Sequence, residues 1–167
     1  MKGQVFLLGA GLVAILTGCA STPIALAPVG PDPSAIESTA AKGGLQVFSS
    51  LIGRSEGNNP TWYQHTDYSI YDLQGKLVKH VNNNDGYYAT APRHVTLPAG
   101  RYLVKAQAND YFWVSVPVTI KCGQTTRVHL DDSWRPPVNT PTTELVSLPD
   151  GNPVGWEAEL TKETGVD

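Results

Sequence analysis

Between Arg101 and Leu130 apolar residues fall on every second position, a period that β-strands have and helices do not. Tyr102, Val104, Ala106 and Ala108 share one face of a run from Arg101 to Ala108. Val114, Val116, Val118 and Ile120 share one face of the run Trp113 to Ile120, and Thr126, Val128 and Leu130 alternate from Thr125 to Leu130. Pro117 falls among the opposite residues of its run. Having no N–H for a ladder, it predicts an edge or a bulge there. Pro98-Ala99-Gly100 and Lys121-Cys122-Gly123-Gln124 supply the turns, and Gly100 is expected in a conformation that costs a larger residue about 1 kcal/mol or more.

Upstream, Leu45 to Ile52, Thr61 to Asp72, Lys76 to Val81 and Arg93 to Leu97 read as further strands. Asp72-Leu73-Gln74-Gly75 forms a hairpin turn in which Gly75 is free to take positive φ. Seven antiparallel strands in about 86 residues match an all-β sandwich of immunoglobulin-like or prealbumin-like size. Beyond it, Glu144 to Leu148, a turn at residues 149–153 and Val154 to Leu160 predict an appended C-terminal hairpin. That hairpin either docks on the sandwich or presents Trp156 to a partner.

The run Leu97-Pro98-Ala99-Gly100-Arg101-Tyr102-Leu103-Val104 carries a resemblance. It is preceded by Tyr71-Asp72 and Gly75-Lys76, and followed by Val116-Pro117-Val118-Thr119-Ile120 and by Gly123 to Leu130. Residues 67–131 resemble carboxypeptidase regulatory-like and related prealbumin-like domains. The resemblance implies a noncatalytic accessory sandwich in which Gly100 makes a turn while Tyr102 and the valines fill the core.

A second resemblance concerns the address. Met1-Lys2 is followed by an apolar run from Val5 to Leu16 and then by Leu16-Thr17-Gly18-Cys19, which resembles a bacterial lipoprotein signal peptide with its lipobox. It implies cleavage before Cys19, after a diacylglyceryl group is placed on the thiol, and acylation of the new amino terminus with a chain such as palmitate. A plain secretory signal or a membrane-spanning anchor is the competing reading, but a spanning helix needs about 20 apolar residues and this run is shorter. Two or more acyl chains hold a protein stably on a membrane. Ala20, where an Asp resembles an inner-membrane retention signal, points to the outer membrane.

The expected organisation is a signal peptide at 1–18, a flexible tether at 19–44, the sandwich at 45–131 and an extension at 132–167. Pro23, Pro28, Pro31 and Pro33 support the tether, within which Ala35 to Lys42 could form a short helix, with Ser34 and Glu37 at capping-box spacing. Removing Lys2 leaves a charge of 11 minus 15, or -4, so nucleic acid is not expected as a partner. Cys122 has no intramolecular partner once Cys19 carries lipid, and it is expected to be buried near a strand end.

Candidate chemistry is thin. His65, His80, His94 and His129 lie on separate strands at no metal-ligand spacing. Asn82-Asn83-Asn84-Asp85-Gly86 lacks the acids of a calcium loop and reads as a turn. No nucleophile elbow is present. Asp131-Asp132 and Glu157 with Glu159 read as solvated edges. No catalytic residue, metal site or cofactor is therefore expected.

Aromatic residues stand above this background. Trp62-Tyr63, Tyr87-Tyr88 and Tyr111-Phe112-Trp113 fall at strand ends or in loops, and alternation from Val114 sends Phe112 inward and Trp113 outward. Trp62, Tyr88, Trp113 and Trp156 are the candidate binding residues of a module for an envelope protein or polysaccharide. A carbohydrate-binding module would set Trp62, Tyr88 and Trp113 in one coplanar strip, whereas an envelope enzyme would show a pocket of converging polar groups.

Overall fold

The computed structural model describes residues 23–32, 41–58, 60–83, 91–141 and 145–160. Among them eleven strands form an all-β sandwich. In chain order they are β1 (Ile24–Ala25), β2 (Lys42–Phe48), β3 (Leu51–Arg54), β4 (Trp62–His65), β5 (Tyr68–Tyr71), β6 (Leu77–Val81), β7 (Val95–Pro98), β8 (Gly100–Gln107), β9 (Trp113–Ile120), β10 (Gln124–His129) and β11 (Gly155–Leu160). One sheet has the order β1-β9-β8-β5-β6 and a second the order β11-β10-β2-β7, while β3 and β4 pair as a separate hairpin.

Period-two alternation builds the core. Val114, Val116, Val118 and Ile120 of β9, Val104 and Ala106 of β8, and Tyr68 and Ile70 of β5 are buried on one sheet, opposite Leu45 and Val47 of β2, Val95 and Leu97 of β7, and Val128 of β10. Each fully buried valine, leucine or isoleucine among them contributes roughly 1.5–3 kcal/mol of transfer free energy. Thr126 sits in the same layer, and its hydroxyl donates to Thr119 O at 2.9 Å, which removes the cost of burying it.

Several expectations are corrected. The sheets are mixed rather than wholly antiparallel: β2 runs parallel to β10, and β1 parallel to β9. The run Leu45 to Ile52 breaks at Ser49-Ser50, and the run Thr61 to Asp72 breaks at Thr66-Asp67. At those breaks the chain leaves the sandwich for the β3–β4 hairpin. Ser49 Oγ donates to Thr66 O (2.6 Å), His65 Nδ1 to Ser49 O (2.7 Å) and Ser50 N to Gln107 O (2.8 Å), so each break is satisfied without a ladder. Gly100 has an ordinary φ, and a Cβ there would meet Tyr102 no closer than 3.6 Å, so it opens β8 without strain. Cys122 is exposed in the β9–β10 turn rather than buried. Phe112 is 81% exposed and Tyr111 packs on the core instead, because Asp110 takes a φ of 52° and breaks the alternation three residues before β9 begins.

The segment expected as a free tether is held at both of its described parts. Ile24 and Ala25 pair with Val114 and Ser115, Val29 is 2% exposed within the core, and β2 already begins at Lys42. Backbone bonds from Leu26 N to Ser115 O (2.8 Å), Val29 N to Pro117 O (2.9 Å) and Thr119 N to Val29 O (3.2 Å) fix this stretch along β9. Pro117 accounts for its irregularity: on that side of β9 the proline can accept but not donate, so the pairing is interrupted between Ala25 and Val29. Cys19, the 35–42 helix except its last two residues, and the Ser34–Glu37 cap lie outside the described residues.

The C-terminal hairpin docks. Ser147 bridges Pro153, Leu148 N bonds Asn152 O (2.8 Å), and Leu148 and Val154 join the core. The second arm continues as β11 along β10, from Gly155 opposite His129 to Leu160 opposite Gln124.

Candidate functional site

Past β10 the chain reverses at Asp131-Asp132-Ser133. Asp131 Oδ1 accepts from Ser133 N (3.3 Å) and Ser133 Oγ (2.8 Å), Asp132 takes a φ of 61°, and Arg135 Nη1 caps Asp132 O at 2.6 Å. This reversal lays Trp134 against the backbone of Gly155. A Cβ on Gly155 would lie 2.1 to 2.6 Å from Trp134 Cγ, Cδ2 and Cβ, so the glycine is what lets the indole approach. Pro136 and Pro137 follow, and Thr140 donates from both N and Oγ1 to Pro137 O (3.1 and 2.9 Å), turning the chain again.

Between this segment and the hairpin lies a cleft of about 310 Å³ lined by Trp134, Pro137, Thr140, Leu145, Val146, Val154 and Trp156. Trp156 is 39% exposed. The Thr140 hydroxyl is committed to Pro137, so the lining offers mainly apolar and aromatic surface. Pockets for small molecules run from about 300 Å³ upward, which makes this one large enough for a single ring or side chain. A larger hollow of about 620 Å³ is floored by Gly43 and Gly44 and edged by Lys42, His94, Thr96, Gly123 and Leu160. It has no tryptophan in its lining.

Beside the cleft, on the face of the second sheet turned away from the core, His129 stacks on Phe48 (4.2 Å between centroids, 14° between planes), and His65 meets the same ring edge-on at 5.6 Å. His129 Nδ1 lies 3.4 Å from Ser133 Oγ, and Nε2 lies 3.5 Å from Glu157 Oε1. The outline is that of a nucleophile, a base and an acid. However, the Ser133 proton is donated to Asp131 rather than to the imidazole, and Asp131 also holds the Ser133 amide, so the cluster orders the turn. Burial lowers the His129 pKa, against the opposing pull of Asp131 and Glu157. Among the described residues, no three His, Cys, Asp or Glu side chains group in a way that could hold a metal ion.

Of the four candidate aromatic residues, the three described ones stand on three different strands. Trp62 is half-buried on β4, Trp113 opens β9 at 42% exposure, and Trp156 stands on β11 in the other sheet. Tyr88 lies outside the described residues. Among the described three, only Trp156 borders the cleft. Its partner Trp134 escapes a reading by alternation because it belongs to no strand; the signal for it is a tryptophan set just ahead of two prolines, with a glycine later in an otherwise alternating run. Asn83, read as part of a turn, is instead a buried polar hub at 1% exposure. In comparisons with known proteins, no family model, no curated protein and no solved structure matches the chain.

Proposed function

We propose that the protein is a lipid-anchored, noncatalytic module of the outer membrane, and that it binds a ring or side chain of an envelope polysaccharide or protein in the Trp134–Trp156 cleft. The observation that carries this reading is the cleft itself. One indole is fixed by its seat on Gly155, and a second stands part-exposed across an apolar hollow of one-ring size. Fixed aromatic surfaces lose little conformational freedom on binding and suit both sugar stacking and protein contacts. The lipobox-like run ending at Cys19 supports the anchor. The likeness of residues 67–131 to carboxypeptidase regulatory-like domains supports an accessory role.

The test is co-sedimentation with peptidoglycan and with a panel of envelope polysaccharides, alongside cross-linking in intact cells for a protein partner. Trp156→Ala should weaken the captured interaction about tenfold or more while the fold is retained. Binding that is indifferent to both Trp156→Ala and Trp134→Ala would remove the cleft from the proposal. The anchor is tested separately by fatty-acid labelling of wild type and Cys19→Ala.

A further inference from the structure

We infer that the end of the sandwich bearing Phe112 and Trp113 is a membrane-contact surface, seated on the phospholipid bilayer that holds the lipid on Cys19. The inference rests on the lipid anchoring proposed above. It follows from where the described chain begins. Ile24 is paired with Val114, and β1 runs in the same direction as β9, so the chain enters β1 at the end of β9 that carries Trp113. Cys19 is five residues before Ile24. Five residues span at most about 18 Å when fully extended.

That reach decides between the two ends of the molecule. Phe112 lies two residues before Val114, about 7 Å along the strand direction. The other end of β9, Ile120, lies six residues after Val114, about 20 Å away. To place Cys19 there, the chain would have to double back fully extended, and it would still fall short. The lipid therefore emerges on the Phe112 side. That side already presents the apolar surface a bilayer interface takes: Phe112 at 81% exposure, Trp113 at 42% and Ile24 at 38%. Tryptophan and neighbouring aromatics settle at the level of lipid headgroups. Asp110 in the same loop and the net charge of -4 give no attraction to anionic lipid, so the contact is interfacial and apolar. The β9–β10 turn, with exposed Cys122, then points away from the membrane.

The experiment uses acylated protein purified from cell membranes and reconstituted into zwitterionic phosphatidylcholine vesicles with or without bromine on the acyl chains. Bromine quenches indoles that reach the bilayer. The expected result is quenching of tryptophan fluorescence that persists in high salt and is mostly lost in Trp113→Phe, with a dye on Cys122 left unquenched. Quenching of equal size in Trp113→Phe, or a quenched dye with unquenched tryptophans, would overturn the assignment. Mass spectrometry of the same preparation separates the two proposals. A Cys19 without fatty acid overturns the anchoring itself, whereas acylated protein without Trp113-dependent quenching overturns the orientation alone.

Discussion

Replacing Asn83 by alanine removes a side chain that stands in for a missing strand. The β2–β7 ladder ends at Leu45 opposite Val95, two residues short of Val47. Asn83 Nδ2 donates there to Val47 O (2.8 Å) and to Ser49 Oγ (3.0 Å), while Oδ1 accepts from Arg93 N at 3.0 Å. Alanine strips the Val47 carbonyl and the Arg93 amide of these partners, at about 1–3 kcal/mol each. Ser49 keeps its bond to Thr66 and adds little. The expected loss is about 3–4 kcal/mol, a large share of the 5–15 kcal/mol typical of a domain, and a fall in Tm of roughly 6–16 °C. Asn83→Asp sharpens the test. It keeps an acceptor for Arg93 N but turns a carboxylate oxygen on Val47 O, so it should cost at least as much at neutral pH and recover stability on acidification, because a carboxyl buried there binds its proton more readily folded than unfolded. Urea unfolding of the three proteins across pH decides it. Asn83→Ala within about 0.5 kcal/mol of wild type would refute the argument.

Gly155→Ala should destabilise by about 1–3 kcal/mol, since the new methyl meets Trp134 Cβ near the main chain rather than the tip of a flexible side chain; most of that cost should vanish in a Trp134→Ala background, as measured by a double-mutant cycle. Tyr68→Phe should leave stability unchanged or raise it by up to about 1 kcal/mol, because the buried Tyr68 hydroxyl has no hydrogen-bond partner among the described residues; a clear loss in a thermal melt would disprove this. Burial holds the His129 imidazole below its ordinary pKa near 6.5, so the unfolded chain takes up that proton at a higher pH than the folded one. Stability is then full above 6.5 and falls as the pH drops from there toward the lower folded value, and His129→Gln should flatten the decline of the urea midpoint across that window.

What was legible in the chain follows from which faces are buried. Strands β8 and β9 bury one face each, so Val104, Ala106, Val114 and Val116 announce themselves by alternation. The docked hairpin was legible for the same reason up to Val154, after which Ala158 and Leu160 alternate without being buried, because β11 is the last strand of its sheet. Breaks at Ser49-Ser50 and Thr66-Asp67 leave no mark in apolar periodicity, since hydrogen bonds from His65 and Ser49 create them. Val29 is one apolar residue among prolines and glycines. Its burial depends on Pro117 and Thr119, nearly ninety positions away, and no local pattern reports such a contact. The cleft was half legible: Trp156 belongs to an alternating run, whereas Trp134 owes its place to a glycine on another element.

The two ends of the chain constrain the proposed partner together. A free tether of about 26 residues would let the sandwich wander about 28 Å from its lipid, far enough to sample partners well above the bilayer. Pairing of Ile24 with Val114 replaces that freedom with a reach of at most about 18 Å. The cleft lies toward the same end, because Gly155 pairs with His129 at the finish of β10, and the next residue, Leu130, accepts the backbone bond from Asn109 in the β8–β9 loop (2.6 Å). Trp134 and Trp156 are thus held toward the end of the sandwich that carries Phe112 and Trp113, the end proposed above to face the membrane, rather than toward the β9–β10 turn. Under the anchoring proposed above, a ring that enters the cleft would belong to a partner that itself approaches the bilayer surface, such as the membrane-proximal part of an envelope protein. A long polysaccharide lying beyond that reach would bind the detached domain but not the anchored one, so comparing the two forms against the same ligand separates the two classes of partner.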